Sequence, residues 1–166
     1  MYQAVQNAYW FAHRALGSSA RAFYGDVYAL PESLGSFDIA VVGMILPHLR
    51  DPFGALHSVS KQCSKTLVVT QPCIKSKDPF ALFLPNRASD PHDAETYFAW
   101  WVLSERCLQN MLEVLGFEVE TVIRAKHKCT SRVTKTPSGR RLWRRSRSSG
   151  TEEECSTIVA SRPASS

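Results

Sequence analysis

One histidine stands just beyond a long apolar run, in a place where it could act on a bound ligand. His48 follows residues 37–46, FDIAVVGMIL, and an imidazole exchanges protons near neutral pH. The side chain could therefore remove a proton from a reacting group. It could equally serve the structure, by hydrogen-bonding its own loop and orienting Arg50. The sequence leaves both roles open.

A second set of residues that could take part in binding is cationic. Nine Lys and Arg side chains and no acidic ones lie between positions 126 and 147, which leaves 11 basic against 15 acidic side chains elsewhere. Residues 140–147, which include Arg140 and Arg147, also contain a tryptophan and could bind phosphates or an RNA strand. The alternative is a solvated, mobile loop, as is usual for such charge runs. Because the remainder is mildly acidic, the pI of 9.1 does not indicate nucleic-acid binding by the whole chain.

The sequence lacks the motifs that are typical of several other kinds of functional site. The five cysteines are an odd number without close pairing, which argues against a disulfide framework and favours a reducing, cytoplasmic location. No C-x-x-C or H-x-x-x-H spacing predicts a metal site, and no G-x-S-x-G predicts a serine hydrolase. The apolar runs reach about eight residues, far short of the ~20 of a membrane span. We therefore expect neither a metal nor a membrane partner.

The elements that must position these residues alternate between helix and strand. Helical spacing predicts helices at 4–16, 51–63 and 104–115, the second begun by Asp51 and Pro52 and the third capped by Ser104. Gly17 and Gly116 are typical helix stops. Extended or apolar runs predict strands at 21–24, 37–46, 66–70, 117–123 and 155–160. A proline-containing connection is expected at 75–98, and a basic, flexible loop at 126–151.

The order of these elements predicts an α/β domain that occupies residues 1–166. The continuous apolar run at 37–46 is typical of a strand buried on both faces of a parallel sheet. The last two strands follow each other without a helix, so they are expected to form an antiparallel pair at one edge. The predicted architecture is a mainly parallel sheet that ends in an antiparallel hairpin.

An ordered set of segments resembles the second half of a class I S-adenosyl-L-methionine (SAM)-dependent methyltransferase. The segments are YGDVYALPESLGSFDIAVVGMILPHLRDPFGALHSV, TLVVTQP, a Trp-Trp pair and LQNMLEVLGFEVETV, and with the last strand they span about residues 4–125 and 155–160. The set is most similar to bacterial methyltransferases related to the tRNA wobble-uridine carboxymethyltransferase. Those enzymes carry Leu-Tyr-His-x-Arg/Leu-x-Pro after a strand, matched here by residues 46–52, with Pro47 in place of the tyrosine.

The resemblance implies a Rossmann-like methyltransferase sheet with SAM as cofactor and a small molecule or tRNA as acceptor. The implied cofactor-binding residues are Asp26, Val27, Gly43, Leu46 and Pro47. The implied acceptor side consists of His48 as the catalytic base, with Arg50, Trp100 and Trp101. Each has a plainer alternative: a turn aspartate at 26, close helix packing at 43, and core packing of a lid for the two tryptophans.

The same resemblance implies that the first two strands of the family sheet are missing. No glycine precedes Gly17 and no G-x-G occurs in the chain, whereas the family has a glycine-rich loop after its first strand. We therefore expect a truncated domain with an open apolar strand edge, and little or no SAM binding or activity from the isolated chain. The two strands could instead come from another chain, or the remaining strands could pair in a different order. The alternative is a non-enzymatic remnant that acts as a basic-loop module for RNA or for a partner protein.

Overall fold

The computed structural model describes residues 2–84, 99–129, 134–135, 141–142 and 151–164. Within them the helices are α1 (Tyr2–Ala15), α2 (Pro52–Gln62) and α3 (Glu105–Val114). The strands are β1 (Phe37–Gly43), β2 (Cys63–Pro72), β3 (Ala81–Phe83), β4 (Trp101–Leu103), β5 (Glu118–Cys129), β6 (Thr134–Lys135), β7 (Arg141–Leu142) and β8 (Thr151–Ser161).

The main sheet has four strands in the order β1-β2-β8-β5. Strands β1 and β2 are parallel, whereas β8 runs antiparallel to both of its neighbours. It follows that β1, β2 and β5 share one direction. The predicted α/β class, the mainly parallel sheet and the antiparallel terminal hairpin are confirmed. Two short hairpins, β3-β4 and β6-β7, lie outside this sheet.

The helices that flank the sheet begin and end where the sequence predicts. At the start of α2, the carboxylate of Asp51 accepts a hydrogen bond from the Gly54 amide at 2.8 Å, and at the start of α3 the Ser104 hydroxyl accepts one from Cys107 at 3.1 Å. Gly116 has a φ of 82° and ends α3 in a left-handed turn. These caps fix where each helix enters and leaves the sheet.

Both α2 and α3 pack on one face of the sheet, where the core lies. Leu67, Val69, Ile158 and Ala160 on the strands are fully buried there, as is Leu108 on α3. On the opposite face, the exposed fractions of Ile39, Val41 and Ile123 are 63%, 69% and 54%. The prediction that the run at 37–46 is buried on both faces is therefore wrong, because no described element covers the second face.

Two further predictions need correction. Residues 21–24 form no strand, because their backbone pairs with none of the described strands. Strand β1 ends at Gly43 rather than continuing to 46, because Met44 adopts a left-handed φ of 54° and residues 46–48 form a 3₁₀ turn. The helix α1 is present as predicted, but its described side chains are almost all exposed.

The expected loop at 126–151 is partly described. Residues 126–129 continue β5, and 134–135 pair with 141–142 as short strands. Most of the segment, including nearly all of 140–147, lies outside the described residues, so the predicted RNA contact stays a prediction.

Candidate functional site

The backbone turns sharply where β1 ends, and this turn shapes the rim of the sheet. The left-handed conformation of Met44 is rare for a residue other than glycine and is frequent at ligand sites. It is held by a hydrogen bond of 2.8 Å from the Met44 amide to the carbonyl of Thr70 on β2. Leu46 and Pro47, both buried, follow in the 3₁₀ turn. The chain therefore leaves the sheet at a fixed angle and places His48 beyond the carboxyl end of β1.

Residues 26–31 have no regular structure, yet they are fixed in place. The carboxylate of Asp26 accepts from the Tyr28 amide at 2.9 Å, and the Asp26 carbonyl accepts from Ala29 at 3.1 Å. The aspartate therefore forms a turn, which is the plainer of the two roles considered from the sequence. This role uses Oδ1, and it does not prevent the residue from lining a cavity.

This turn is attached to α2 along the length of the helix. The Tyr28 hydroxyl accepts from the Asp51 amide at 3.0 Å, and the Leu30 amide donates to the buried Ser58 hydroxyl at 3.2 Å. These bonds are made by residues 28 and 30, beyond the strand predicted at 21–24. They hold Asp26 and Val27 beside the end of β1 without a sheet ladder.

A cavity of about 710 Å³ opens at this rim. Its lining includes Asp26, Tyr28, His48, Arg50, His57 and Trp100. Asp51 and Gly54, at the start of α2, also line it. Four residues named from the sequence, at positions 26, 48, 50 and 100, are thus brought together around one space. The lining combines carboxylates, an arginine, two imidazoles and an indole ring, so it can hold a polar, partly planar ligand.

The linings of the first cavity and of a smaller one, of about 260 Å³, adjoin along the chain, since Val27 follows Asp26 and Ala55 follows Gly54. The smaller cavity is lined by aliphatic side chains, among them Val27, Leu46 and Val59, together with Gly43. A Cβ added at Gly43 would meet nothing within 4 Å, so the missing side chain leaves open space there. Because Asp26 and Gly43 line different but adjoining cavities, the predicted rim is divided into a polar and an apolar compartment.

The remaining predicted site residues lie elsewhere. Pro47 is buried in the 3₁₀ turn, where its carbonyl accepts from the Trp100 amide at 2.7 Å. Trp101 lies in β4 and packs edge to face against Phe83, with ring centroids 5.3 Å apart. Its indole nitrogen is buried without an acceptor among the described residues. The two tryptophans therefore separate: Trp100 lines the larger cavity and Trp101 belongs to the β3-β4 hairpin.

Five residues that line the larger cavity were not predicted as site residues: Tyr28, Leu49, Asp51, Gly54 and His57. His57 lies three positions after Gly54 and six after Asp51, a spacing that brings these residues of α2 to one side of the helix. This spacing could have indicated His57 as a site residue, because His57 does not belong to the predicted apolar stripe of the helix. Tyr28 carried no comparable signal, because its role depends on the turn at 26–29.

Two classes of feature are absent from the part of the chain that the structure describes. No group of three His, Cys, Asp or Glu side chains comes together there in a way that could hold a metal ion. None of the described helices is long and apolar enough to cross a membrane.

No family model matches the sequence, and no curated protein matches it either. Solved structures do share its fold. The N-terminal domain of EvdMO1 with bound SAH superposes with a TM-score of 0.52 at 18% identity, over 92% of this chain and 58% of that one. Magnesium protoporphyrin IX methyltransferase (ChlM) from Synechocystis PCC 6803, also with SAH, gives a TM-score of 0.56 at 12% identity, over 96% and 59%.

A SAM-dependent methyltransferase from Methanosarcina mazei gives a TM-score of 0.51 at 16% identity, over 87% of this chain and 70% of that one. At these identities the likeness establishes the fold, which is the Rossmann-like α/β fold of SAM-dependent methyltransferases. The chain spans less than two thirds of the EvdMO1 domain and of ChlM.

Proposed function

We propose that this chain forms one wall of the active site of a SAM-dependent methyltransferase. The observation that carries the proposal is the pair of adjoining cavities at the carboxyl end of β1, which is where open α/β sheets bind ligands. The apolar cavity is left open at Gly43, and the polar cavity contains His48. The methyltransferase fold shared with the structures above supports the same assignment.

The residues present suit part of the cofactor. The adenine of SAM would lie against Val27, with the fully buried Leu46 packed behind that surface, because a flat heterocycle gains most from an aliphatic surface. The carboxylate of Asp26 would accept a hydrogen bond from the adenine amino group. Gly43 would let the ligand approach the backbone of β1 closely. Pro47 would act by fixing this turn, since its carbonyl holds Trp100.

When bound, SAM supplies an electrophilic methyl group on a sulfonium. The task of the chain is then to position and desolvate the acceptor. We assign to His48 the removal of the acceptor proton, because its imidazole lines the same cavity as Asp26. Trp100 would stack on a planar acceptor, Arg50 would orient a negatively charged one, and Trp101 would support Trp100 from the adjacent hairpin.

The acceptor would be a small molecule or a tRNA base, as the similarity to wobble-uridine carboxymethyltransferases implies. In the RNA case, residues 140–147 would contact the strand. Within this proposal the 166 residues form a single partial methyltransferase domain that works in the cytoplasm. Because the chain has no G-x-G turn, we expect SAM to bind weakly, with a dissociation constant on the order of 1 mM.

The proposal can be tested by titrating the isotopically labelled chain with SAM and following amide signals by NMR. We expect shifts at Val27, Gly43 and Leu46, and their loss in Gly43→Val, because the valine side chain would fill the open space. Valine suits a strand, and a Cβ at this position would meet no atom within 4 Å, so the fold should be retained. Ile39→Val, on the same strand but outside both cavities, is the matched control. His48→Gln should leave the SAM shifts in place, since His48 lines the other compartment.

Shifts at these amides that Gly43→Val abolishes and Ile39→Val preserves would support the assignment. Shifts that Gly43→Val leaves unchanged would overturn it, and so would shifts confined to amides outside both cavities.

A further inference from the structure

A third cavity, of about 600 Å³, lies at the carboxyl end of β2, apart from the two already described. Four cationic side chains line it: Lys75, Lys77, Arg106 and Arg124. Ser76 and Gln109 add neutral polar groups, and Glu105 is the one carboxylate among the described lining residues. The charge of this lining is therefore strongly positive, although the chain outside 126–147 is acidic on balance.

The charge of the Glu105 carboxylate is already compensated by neighbouring side chains of the protein. Arg124 donates to both oxygens of Glu105, at 2.7 and 2.6 Å, and the buried Ser156 hydroxyl donates at 2.6 Å. The Glu105 side chain is only 5% exposed. The hydrogen bond from Arg124 lowers the pKa of Glu105, so the carboxylate stays charged and remains paired with Arg124.

Among the described residues, the other three cations of the lining form no ion pair with Glu105, although the charge of Lys75 also lowers the pKa of that carboxyl. Lys75 and Lys77 are exposed, and Arg106 donates to Gln109 at 3.3 Å and to Glu113 at 3.5 Å. Both members of the pair with Glu113 are about 45% exposed, so the contact contributes little and can be exchanged for a ligand. A ligand with several negatively charged oxygens would compensate all three.

The loop that presents the two lysines is held firmly to the start of α3. The Ile74 amide donates to Leu103 at 3.0 Å, and the Ile74 carbonyl accepts from Glu105 at 3.0 Å. The fully buried Ser104 hydroxyl accepts from Phe80 at 3.0 Å and donates to the Asp78 carbonyl at 2.9 Å. The backbone around Lys75 and Lys77 is thus fixed before a ligand arrives, which lowers the entropic cost of binding.

We propose that this cavity binds a phosphate-bearing ligand through Lys75, Lys77 and Arg106. Arg124 takes a structural part, since it holds Glu105. Phosphate groups occur along a nucleic-acid strand as well as on small molecules. The phosphate could come from such a strand or from a small molecule, and this inference does not depend on methyl transfer.

The test uses the full chain and two probes, pyrophosphate and a short oligouridylate, at low salt. In the triple variant Lys75→Gln, Lys77→Gln, Arg106→Gln we expect binding of at least one probe to weaken tenfold or more. For the oligouridylate, the slope of log K against log salt should become shallower by about 2, because three phosphate contacts at ~0.7 each are lost. The matched control removes three exposed cations elsewhere, in Arg14→Gln, Arg21→Gln, Lys61→Gln. Circular dichroism verifies that both variants remain folded.

Weakening confined to the cavity variant would support the proposal. Pyrophosphate binding would then identify a small ligand, whereas oligouridylate binding alone would identify a strand. Equal weakening in the control variant would overturn the proposal, because net charge alone would explain it. Binding of neither probe, or oligouridylate binding that the cavity variant leaves unchanged, would also overturn it.

Discussion

The two faces of the main sheet differ far more in solvent exposure than in the hydrophobicity of their side chains. On the covered face, Leu67, Val69 and Ile158 are fully buried beneath α2 and α3. On the open face, Ile39 and Val41 are more than half exposed although they are equally apolar. Within β1 itself, Val41 is 69% exposed and the next residue, Val42, is 7% exposed, so neighbouring valines have opposite surroundings.

The comparison shows that apolar residues indicate a tendency to be buried. They do not show that a helix or strand is present to cover them. Residues 37–43, FDIAVVG, have the composition of a strand covered on both sides. The described part of the chain supplies helices for one side only. Such an exposed apolar face usually marks a surface for contact or for aggregation.

The largest expected effect is on the covered face. Leu108→Ala should lower the free energy of unfolding by about 2–5 kcal/mol, because Leu108 is fully buried in the core cluster. Urea denaturation measures the change. On the same helix, Val114→Ala is the control, since Val114 is 74% exposed and should change stability by less than about 0.5 kcal/mol. Similar losses from both variants would mean that α3 does not pack as described.

A smaller effect is expected from the ion pair between Glu105 on α3 and Arg124 on β5. Glu105→Gln should destabilise the fold by about 1–3 kcal/mol at neutral pH, because hydrogen bonds to a charged group are lost. The pKa of Glu105 is lowered in the folded state, so its contribution is present above the unfolded value of about 4.3 and is lost as the pH falls through the folded value.

Denaturation of both proteins across the acidic range measures this dependence. The difference in stability between wild type and Glu105→Gln should shrink as the pH falls below about 4. A difference that stays constant down to the lowest pH would contradict an ionised Glu105.

The smallest expected change in stability is on the open face. It is measured by making the same substitution, valine to threonine, on each face of the sheet. Val41→Thr on the open face should change stability by less than about 0.5 kcal/mol, since a hydroxyl there is hydrated. Val69→Thr places the same hydroxyl in the core and should lower stability by about 1–3 kcal/mol. Both changes conserve shape and β-branching. If Val41→Thr proves as damaging as Val69→Thr, then the open face is covered in solution.

Sequence patterns predicted the elements whose ends are set by local chemistry. Asp51 and Ser104 cap helices through their own side chains, and Gly116 ends α3 with a backbone conformation that glycine adopts easily. Such signals are contained within a few residues. The length of β1 could not be predicted in this way, because the left-handed Met44 is held by Thr70 from another strand.

The candidate site was predicted from the ordered resemblance rather than from any single motif. It placed Asp26, His48 and Trp100 at one rim, where the structure has them around one cavity. Tyr28 was missed because its hydroxyl reaches the Asp51 amide, 23 positions away, and no local pattern indicates that contact. Trp101 was grouped with Trp100 by adjacency, although successive residues of an extended chain point in opposite directions.

The attachment of residues 26–31 to α2 has a consequence for how the larger cavity can change its width. Tyr28 is tied to the start of this helix, and Gly54 and His57 belong to the helix itself, so most of the rim would move as one rigid body. Trp100 stands outside that body and is joined by its own amide to Pro47. Rotation of the Trp100 side chain away from the cavity would make room for a bulkier ligand. The hydrogen bonds between residues 26–31 and α2 would stay intact.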